Sequence, residues 1–520
     1  MVSSFDLFIN YGFAIFCIFV FSTLLIKYSN FNNLIFANSK IVFLFFIAFV
    51  IISNSLLIHL KLENLRYYVD LATHLEILSN FSKTLKLDTF LSLSHHGSSN
   101  WFAAHFTPII YISYVPVFLL WNSPISLFLL LTLILYSGVI PIYLISKTKF
   151  DSNISLIFCC IYLLYPNFSY VNIYGPSYLE FCIPMFLWAF YFYESRKIKM
   201  MTLILLISCL IREEVSLTVA AFGLFLFFEK KIDRLYSIFI LCFSLLYFYL
   251  VINHIIPYFK KSEEHLALVL FNEWGSNYFE ILLNILKNPF KFLKYELLDY
   301  IKLTNILMFM IMFCCINFLN LKSVIIILPS LLIALLSRSF THSSYILYYM
   351  LPMVPAIFYG LIKNNFINKK IICFIFYLSL GFYIFFSPSI ISVQFWFKDF
   401  KLGKYNTTDF YISSYFDDIN KSSINEILNK IPPNISISAE QKFLPLLYEQ
   451  KSMNVFPEVN NSNQFILIDL DNKYRSGYGS SYMEFRKDPN YFYDQFIFSD
   501  DWKTIGRYND VFLLRRKNDV

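Results

Sequence analysis

Long apolar stretches alternate with short polar segments along the chain, and the apolar stretches are long enough for helices that cross a lipid bilayer. A bilayer core of about 30 Å requires roughly 20 mostly apolar residues in a helix. Two shorter apolar runs between 200 and 229 flank a charged triplet that begins at Arg212, which predicts a tight hairpin. Together the stretches predict about twelve spans. The ten longer stretches are 8–26, 41–60, 125–146, 153–169, 178–195, 235–255, 304–318, 323–337, 344–361 and 370–391.

Composition supports this interpretation and excludes a soluble chain. Hydrophobic residues make up 57% of the sequence, aromatic residues 20% and charged residues 15%. All nine cysteines lie in apolar stretches or at their ends, without metal-thiolate spacing, so neither structural disulfides nor a thiolate metal site is predicted. The net charge of +7 lies mostly at the ends of the predicted helices, where basic residues orient a membrane protein. Nucleic acid is therefore not an expected partner.

The basic residues orient the predicted helices if the segment 106–121 lies flat on the membrane surface. This segment is short, contains Pro108 and Pro116 and ends at Trp121, all of which favour an interfacial helix. Fourteen basic residues in the connecting turns then share one side, which the positive-inside rule assigns to the cytoplasm. They are Lys27, Lys40, Lys147, Lys149, Arg196, Lys197, Lys199, Lys230, Lys231, Arg234, Lys322, Lys363, Lys369 and Lys370.

The outer side of the membrane then receives the longer polar segments, among them the large loop 61–104 and the turn 167–177. We predict an all-α polytopic transmembrane domain at 1–395, in the cytoplasmic (inner) membrane, and an extracytoplasmic domain at 396–520. The second domain is polar and shows a helix ending near Leu428 together with short strand patterns, which predicts a small α/β fold. The strand patterns are 435–439, 465–470, 503–508 and 511–516.

The first outer loop carries the leading catalytic candidate. All eight histidines fall on the outer side in this topology, and acidic residues accompany them in this loop. Asp70 follows the second predicted span, and a helix at this point places His74 on the same face. A carboxylate at the bilayer surface can act as general base on an acceptor hydroxyl, so Asp70 is the candidate catalytic residue and His74 a candidate for substrate binding. The alternative for Asp70 is a solvated acid on an interfacial amphipathic helix.

The triplet Arg212, Glu213 and Glu214 interrupts an apolar hairpin, so its charges must be solvated, paired or functional. The planar donors of Arg212 suit an anionic lipid phosphate, and a neighbouring glutamate can hold their orientation. The alternative is an ordinary polar turn that reaches water. Three further candidates for substrate binding have a membrane-boundary or outer-turn role as their alternative; they are Glu180, Arg338 and His342.

Histidines also flank the start of the flat segment. His105 immediately precedes it and is a candidate contact for a phosphate or the reacting group, with capping or anchoring of the helix as the alternative. His95 and His96 are weak candidates for holding a divalent metal ion together with Asp70 or Asp88, because imidazole and carboxylate are common ligands. No spacing such as HExxH supports a metal site, and a solvated loop without an ion is the alternative.

Short motifs follow one another in a fixed order along the chain. They are HFTP from His105, YLLYP from Tyr162, IP at Ile183, IREE from Ile211, IPPNISISAEQKFLPLL from Ile431, and then VFPE and FILIDL. This series resembles the domain of unknown function 2079 family, whose members are predicted membrane proteins, and the order of the motifs is more specific than any one of them. The resemblance covers roughly residues 66–516, and the first predicted span lies outside it.

That family is in turn similar to the C-type glycosyltransferases, multi-spanning enzymes that use polyprenyl-phosphate sugars outside the cytoplasmic membrane. The resemblance implies that Asp70, in the first large outer loop, is the catalytic base and that Arg212 or Arg338 lies near the carrier phosphate. One turn departs from the family pattern, since YGPSYLE from Tyr174 stands where an Asp-Phe-His-Pro-Glu-like turn is expected. Only Glu180 remains near the expected acid, so this turn is not assigned metal or acid chemistry.

The leading functional hypothesis is an integral membrane glycosyltransferase that transfers a sugar from a polyprenyl-phosphate carrier to an envelope acceptor on the outer face. Its expected partners are the lipid-linked sugar donor and membrane lipid, with a divalent metal ion as a weak candidate cofactor. A transporter or flippase of lipid-linked saccharides is one alternative, although neither charges in mid-span nor an internal repeat favours it. Another is a non-catalytic envelope protein, for which Asp70 would be dispensable.

Overall fold

The computed structural model of the chain describes ten segments, and most of the described residues are helical. The described residues are 4–27, 29–67, 69–91, 98–229, 234–260, 270–313, 320–397, 410–416, 421–470 and 489–517. The predicted metal candidates His95 and His96 lie outside these ranges.

Helices fill the described chain up to residue 397. The α-helices are α1 (Ser4–Lys27), α2 (Ser29–Ala37), α3 (Ser39–Glu63), α4 (Val69–Thr84), α5 (Tyr114–Leu120), α6 (Pro124–Ser137), α7 (Val139–Lys147), α8 (Ser152–Leu163), α9 (Pro166–Tyr174), α10 (Cys182–Glu194), α11 (Ile198–Ser208), α12 (Val215–Phe227), α13 (Arg234–Leu250), α14 (Ile256–Lys260), α15 (Tyr278–Lys287), α16 (Pro289–Phe292), α17 (Tyr300–Met310), α18 (Leu321–Leu336), α19 (Phe340–Ser343), α20 (Val354–Lys363), α21 (Lys369–Phe386) and α22 (Val393–Trp396). Short 3-10 or π segments include Trp101–Ala103, Pro108–Ile112, Leu179–Phe181, Val251–Ile255, Leu293–Leu297, Ile311–Phe313 and Leu351–Met353.

Within the described ranges, four helices are long and apolar enough to cross a membrane, and one bent pair of helices raises the number to five. The four are Ser39–Glu63, Pro124–Lys147, Arg234–Lys260 and Lys369–Phe386. Shorter apolar helices of 10–17 residues occupy most of the other stretches that the sequence assigns to spans. The several apolar helices agree with a membrane protein, and the figure of about twelve spans stays a prediction.

The prediction of an outer turn at 167–177 is wrong, because most of this segment forms helix α9. The proline at the start of α9 lacks a backbone N–H, and the helix is bent by 47° from α8. The polar side chains of Asn167 and Asn172 are buried and form hydrogen bonds to neighbouring segments. Asn167 donates to the carbonyl oxygen of Tyr345 at 2.5 Å, and Thr132 donates to Asn172 at 2.9 Å. These polar side chains therefore form hydrogen bonds between packed segments and do not contact water.

The stretch 344–361 was predicted as one span and is not one helix. Helix α20 begins at Val354, and the chain before it runs through turns and a 3-10 segment. Pro352 and Pro355 lie at this boundary and cannot donate backbone hydrogen bonds. The irregular chain places Tyr348 and Tyr349 side by side, with ring centroids 4.5 Å apart.

Most of the described part of the predicted outer loop 61–104 is helical. It contains the end of α3 and the whole of α4, and most side chains of α4 are buried. The predicted flat segment 106–121 consists of two short pieces, the 3-10 helix Pro108–Ile112 and α5, which are separated at Ser113. Proline at the first position of the 3-10 helix and a non-helical Ser113 explain why the segment is not one continuous helix.

The C-terminal part contains helix α23 (Lys421–Leu428), helix α24 (Pro489–Ile497) and a five-stranded sheet, which confirms the predicted mixture of helix and strand. The strands are β1 (Ser436–Ala439), β2 (Ser452–Val455), β3 (Phe465–Asp469), β4 (Trp502–Tyr508) and β5 (Val511–Arg516), in the order β2-β1-β3-β5-β4. β1 pairs in parallel with β2 and β3, whereas β5 pairs antiparallel with β3 and β4. The sequence analysis anticipated four of these strands and missed the short β2.

One face of the sheet packs directly on the predicted outer loop 61–104. Leu65, Val69 and Ala72, at or near the start of α4, belong to the same hydrophobic cluster as Ile437 and Leu467 of the sheet. The opposite face forms a separate cluster that includes Phe456, Tyr493, Trp502 and Phe512. Because α4 and the sheet bury a common apolar surface, the sheet holds α4 in place from outside the helical region.

Candidate functional site

A cavity of about 430 Å³ lies where α4, the ends of several apolar helices and one edge of the sheet meet. Seven segments that are distant in sequence contribute to its wall. Its lining residues are Val69, Asp70, Thr73, His74, Leu91, Trp101, His105, Thr107, Tyr174, Pro176, Ser177, Tyr178, Arg212, Ser339, Thr341, Leu347, Tyr348, Tyr349 and Val455. Four residues that the sequence analysis proposed therefore share one cavity, and they are Asp70, His74, His105 and Arg212.

Asp70 stands in the first turn of α4, where a carboxylate interacts favourably with the exposed N–H groups of a helix N-terminus. The hydroxyl of Tyr174, at the end of α9, donates a hydrogen bond to Asp70 Oδ2. Burial raises the pKa of Asp70 above its ordinary value, and the hydrogen bond from Tyr174 acts in the opposite direction. Asp70 is thus a partly buried carboxyl group facing a cavity, which excludes the alternative of a solvated acid on an exposed helix face.

His74 lies one helical turn after Asp70 and lines the same cavity, as the spacing predicts. Its Nδ1 is 2.9 Å from the hydroxyl of Tyr178, and Trp101 packs edge-on against its ring. Burial lowers the pKa of His74 to about 4, against a smaller opposing effect of a hydrogen bond to the Pro176 backbone. The imidazole is therefore neutral at pH 7 and offers the cavity a polar group without charge.

His105 links the flat segment to the charged hairpin. Its Nε2 accepts a hydrogen bond from Arg212 Nη2 at 3.1 Å, since a guanidinium can only donate. The ring proton consequently lies on Nδ1, which donates to Glu213 Oε1 at 2.8 Å, while the other oxygen of Glu213 accepts from the backbone N–H of Phe106 at 3.0 Å. Burial, followed by the charge of Arg212, lowers the pKa of His105 to about 3, which agrees with this neutral tautomer.

Arg212 is held from several sides. Its Nε lies 3.0 Å from Glu214 Oε1, and its guanidinium lies 5.5 Å from the centroid of the Tyr349 ring. The ring of His342 stacks on the ring of Tyr349, with ring centroids 4.1 Å apart. The residue Arg212 is only 6% exposed and Glu213 only 5%, so the alternative of a polar turn that reaches water is excluded. The arrangement presents a fixed, planar cation at the cavity wall.

Of the residues proposed for substrate binding, Glu180, Glu213, Glu214, Arg338 and His342 do not line the cavity, and a direct contact of each with substrate stays a prediction. Glu180 is fully buried behind the wall, where one oxygen accepts from Tyr114 at 2.5 Å and the other from the hydroxyl of Ser177 at 2.7 Å. It therefore holds the turn that carries Tyr178 in place. Arg338 points outward and forms an exposed ion pair with Glu273, with an N–O distance of 2.7 Å. Ser339 and Thr341, which follow Arg338 in the chain, line the cavity, whereas Arg338 does not.

Several lining residues were not anticipated from sequence. Tyr174 belongs to the turn that departs from the family pattern, and its value to Asp70 follows only from the position of α9 beside α4. Tyr348 and Tyr349 lie in the stretch 344–361, which the sequence assigns to a span, and no role at a site was predicted for them. Val455 comes from the unpredicted strand β2. Local sequence carried no signal for these roles, because each depends on contact between distant segments.

Within the described ranges, no group of three or more histidine, cysteine, aspartate or glutamate side chains is arranged to hold a metal ion. The proposed metal residues His95 and His96 lie outside those ranges, so their hypothesis stays a prediction. His342 does not line the cavity, but it stacks on Tyr349 and lies within 3.4 Å of the Thr341 hydroxyl, and both of these residues line it.

A comparison with protein-family models matches residues 70–509 to the model described as predicted membrane protein, DUF2079. The chain belongs to this family. The matched residues begin at Asp70 and include every described segment that lines the cavity except Val69. The match therefore covers the helical region from α4 onward and four of the five strands of the C-terminal sheet.

Comparison with solved structures finds a likeness to the crystal structure of the oligosaccharyltransferase of Archaeoglobus fulgidus in the apo form. The sequences are 10% identical, the TM-score is 0.36, and the match covers 82% of this chain and 69% of that chain. A likeness of this degree does not establish a common fold. A search of curated proteins gives no significant match.

Proposed function

We propose that the protein is an integral membrane glycosyltransferase that moves a sugar from a polyprenyl-phosphate carrier to an acceptor at the outer face of the cytoplasmic membrane. One observation carries the proposal. Asp70 and Arg212, which are far apart in sequence, line the same cavity of about 430 Å³. A carboxylate and a guanidinium that face a common space supply a base for an acceptor and a partner for a phosphate leaving group.

In the proposed reaction, the ionised carboxylate of Asp70 removes the proton of an acceptor hydroxyl. At the same time, the oxygen of that hydroxyl forms a bond to the anomeric carbon of the donor sugar. The bond between that carbon and the carrier phosphate breaks, and its electron pair leaves with the phosphate. Arg212, oriented by Glu214 and His105, stabilises the negative charge that builds on the phosphate. The neutral rings of His74 and His105 add hydrogen-bonding groups without repelling Arg212.

The proposal includes a position in the membrane. The polyprenyl chain lies among the apolar helices, its phosphate stays near the surface and its sugar enters the cavity. The basic turns indicate that the cavity opens outside the cytoplasm, with about twelve spans in the domain 1–395 and an extracytoplasmic domain at 396–520. The cell envelope then supplies the acceptor. The packing of the sheet against α4 supports a C-terminal domain on the same side as the cavity.

The test measures release of carrier phosphate by the purified full-length protein in lipid vesicles supplied with polyprenyl-phosphate sugars. Asp70→Asn is expected to lower turnover by about a hundredfold or more, the usual minimum for loss of a general base. Asp151→Asn is the matched control, because Asp151 is exposed, caps α8 and is replaced by an equally good cap. Thermal unfolding of both variants checks that folding is retained.

Equal turnover in folded Asp70→Asn and wild-type protein would remove Asp70 as the base. Movement of intact donor across the vesicle membrane, without phosphate release, would instead identify a transporter of lipid-linked saccharides. Binding of neither donor nor acceptor by wild-type protein would contradict both activities.

A further inference from the structure

Helices α15 and α16 form an element that carries apolar side chains on an inner, buried face and on an outer, exposed face. No residue of these two helices lines the cavity. The inner face is covered by the protein. Ile281 and Ile285 of α15 and Phe292 of α16 pack in one cluster with Trp274 and Leu336. This cluster determines which way the element is turned, because rotation would expose all of these side chains.

The outer face of the element is strongly apolar and exposed. Phe279 is 69% exposed, Leu282 54%, Leu286 68% and Phe290 84%. The first three follow one another at separations of three and four residues, so they lie on one side of α15. Large apolar side chains that cluster in this way on a protein surface mark a site of contact with another apolar phase or molecule.

Basic residues accompany the exposed apolar face. Lys287 ends α15, and Lys291 and Lys294 follow in the next helical turns, all three exposed. The ammonium group of Lys291 lies 4.9 Å from the centroid of the Trp274 ring. Glu280 is the acidic residue of α15, and it is occupied by hydrogen bonds from Ser276. Apolar side chains next to a row of lysines match a membrane surface that carries anionic headgroups.

The element is held rigidly enough to present this surface. The side chain of Asn284 donates to the carbonyl oxygen of Trp274 at 2.8 Å, and the Trp274 ring N–H donates to Glu296 at 2.8 Å. Glu296 also pairs with Lys302, at 2.5 Å, at the start of the next apolar helix. The outward direction of Leu286 and Phe290 is therefore set by buried polar contacts as well as by the inner apolar face.

The position of the element in the chain favours lipid as its occupant. It follows the candidate span Arg234–Lys260 and precedes the apolar helix Lys302–Phe313. A segment between two such helices lies near the boundary of the apolar layer. We infer that α15 and α16 lie in the headgroup region of the membrane, with Phe279, Leu282, Leu286 and Phe290 toward the acyl chains and the three lysines on anionic phospholipid headgroups.

The test uses a photoreactive benzophenone side chain in place of Phe290, in the full-length protein reconstituted into vesicles of phosphatidylcholine and phosphatidylglycerol. Mass spectrometry after illumination identifies what the probe has bonded to. Phe45, 61% exposed in the candidate span Ser39–Glu63, is the positive control for lipid contact. Phe498 is the matched control for an exposed aromatic side chain elsewhere, since it is 80% exposed against 84% for Phe290.

Phospholipid adducts are expected at positions 290 and 45 and not at 498. Adducts at 45 without adducts at 290 would overturn the inference, and so would an adduct that joins position 290 to a second copy of the chain. The combined change Lys287→Gln, Lys291→Gln and Lys294→Gln should lower the share of phosphatidylglycerol in the adducts to its share in the vesicles. An unchanged share would remove the lysines from the proposed contact. None of these outcomes depends on turnover in the cavity.

Discussion

Buried charge is found both at the cavity and in the C-terminal sheet. At the cavity, the side chains of Arg212 and Glu213 are 7% and 6% exposed. In the sheet, the side chains of Lys442 and Asp469 form an ion pair and are also 7% and 6% exposed. Burial of charge is therefore equal in the two places, and by itself it does not distinguish a site from a structural contact.

The difference lies in what surrounds each pair. The sheet cluster is formed where the parallel strands β1 and β3 end, so Glu440, Lys442 and Asp469 meet at the same edge. Tyr493 of α24 then donates to Glu440 at 2.7 Å, and none of these four residues lines the 430 Å³ cavity. Arg212, in contrast, faces that cavity together with Asp70. Open space shared with a second reactive group is what makes a charge cluster a candidate site.

Breaking the sheet pair is expected to produce the largest change in stability. Lys442→Met leaves the Asp469 carboxylate buried without its ion-pair partner, which costs about 3–5 kcal/mol. Thermal unfolding in lipid nanodiscs measures this loss, and the additional change Asp469→Leu should restore most of it, because the buried carboxylate is gone. Turnover per folded molecule should equal that of the wild type. A specific loss of turnover in the folded variant would show that the sheet cluster also serves the reaction.

Arg212→Lys should have the opposite profile, with a loss of turnover at nearly unchanged stability. Lysine retains the positive charge but not the planar donors that contact His105 and the proposed phosphate. Loss of one hydrogen bond to a charged group corresponds to about a tenfold to hundredfold decrease in turnover. Arg507→Lys, at an exposed position in β4, is the matched control and should behave like the wild type. Full activity of Arg212→Lys would contradict a role for the guanidinium fork.

The pH dependence of stability should report the contribution of the sheet cluster through Glu440. Burial raises the pKa of Glu440 from 4.5 to about 7. Between these pH values the folded protein binds more protons than the unfolded chain, so stability falls as the pH rises. Glu440→Gln should weaken this fall by a few degrees in melting temperature between pH 5 and pH 8. Some dependence should persist, because burial also raises the pKa of Glu76 to about 7. A slope identical to the wild type would contradict the assignment to Glu440.

Tyr174→Phe should produce the smallest effect, a shift in the pH profile of turnover. The hydroxyl of Tyr174 lowers the pKa of Asp70, although burial raises that pKa by more. Removing the hydroxyl should move the acidic limb of the profile to higher pH, because Asp70 must be ionised to act as a base. Turnover at alkaline pH should change little. An acidic limb that stays in place would mean that Asp70 does not control it.

Sequence reasoning predicted those features of the site that depend on neighbours along the chain. The spacing of Asp70 and His74 places them on one helical face, and both line the cavity. The charged triplet at Arg212 was predicted to be solvated, paired or functional, and in the structure its charges are paired. The prediction of an outer turn at 167–177 was wrong. The polar side chains of Asn167 and Asn172 lie in a buried helix, because hydrogen-bond partners from other segments replace water.

By itself, the sequence determined that this is a helical membrane protein with a small mixed sheet, since apolar length and strand periodicity are local properties of the chain. It also placed individual acids, histidines and the arginine among the candidates. Only the tertiary structure decided which of them meet, bringing Arg212 to Asp70 while directing Arg338 to Glu273 and Glu180 behind the wall. The reason is physical, because contacts between distant segments depend on the bends and packing of whole helices, and local sequence patterns do not specify these.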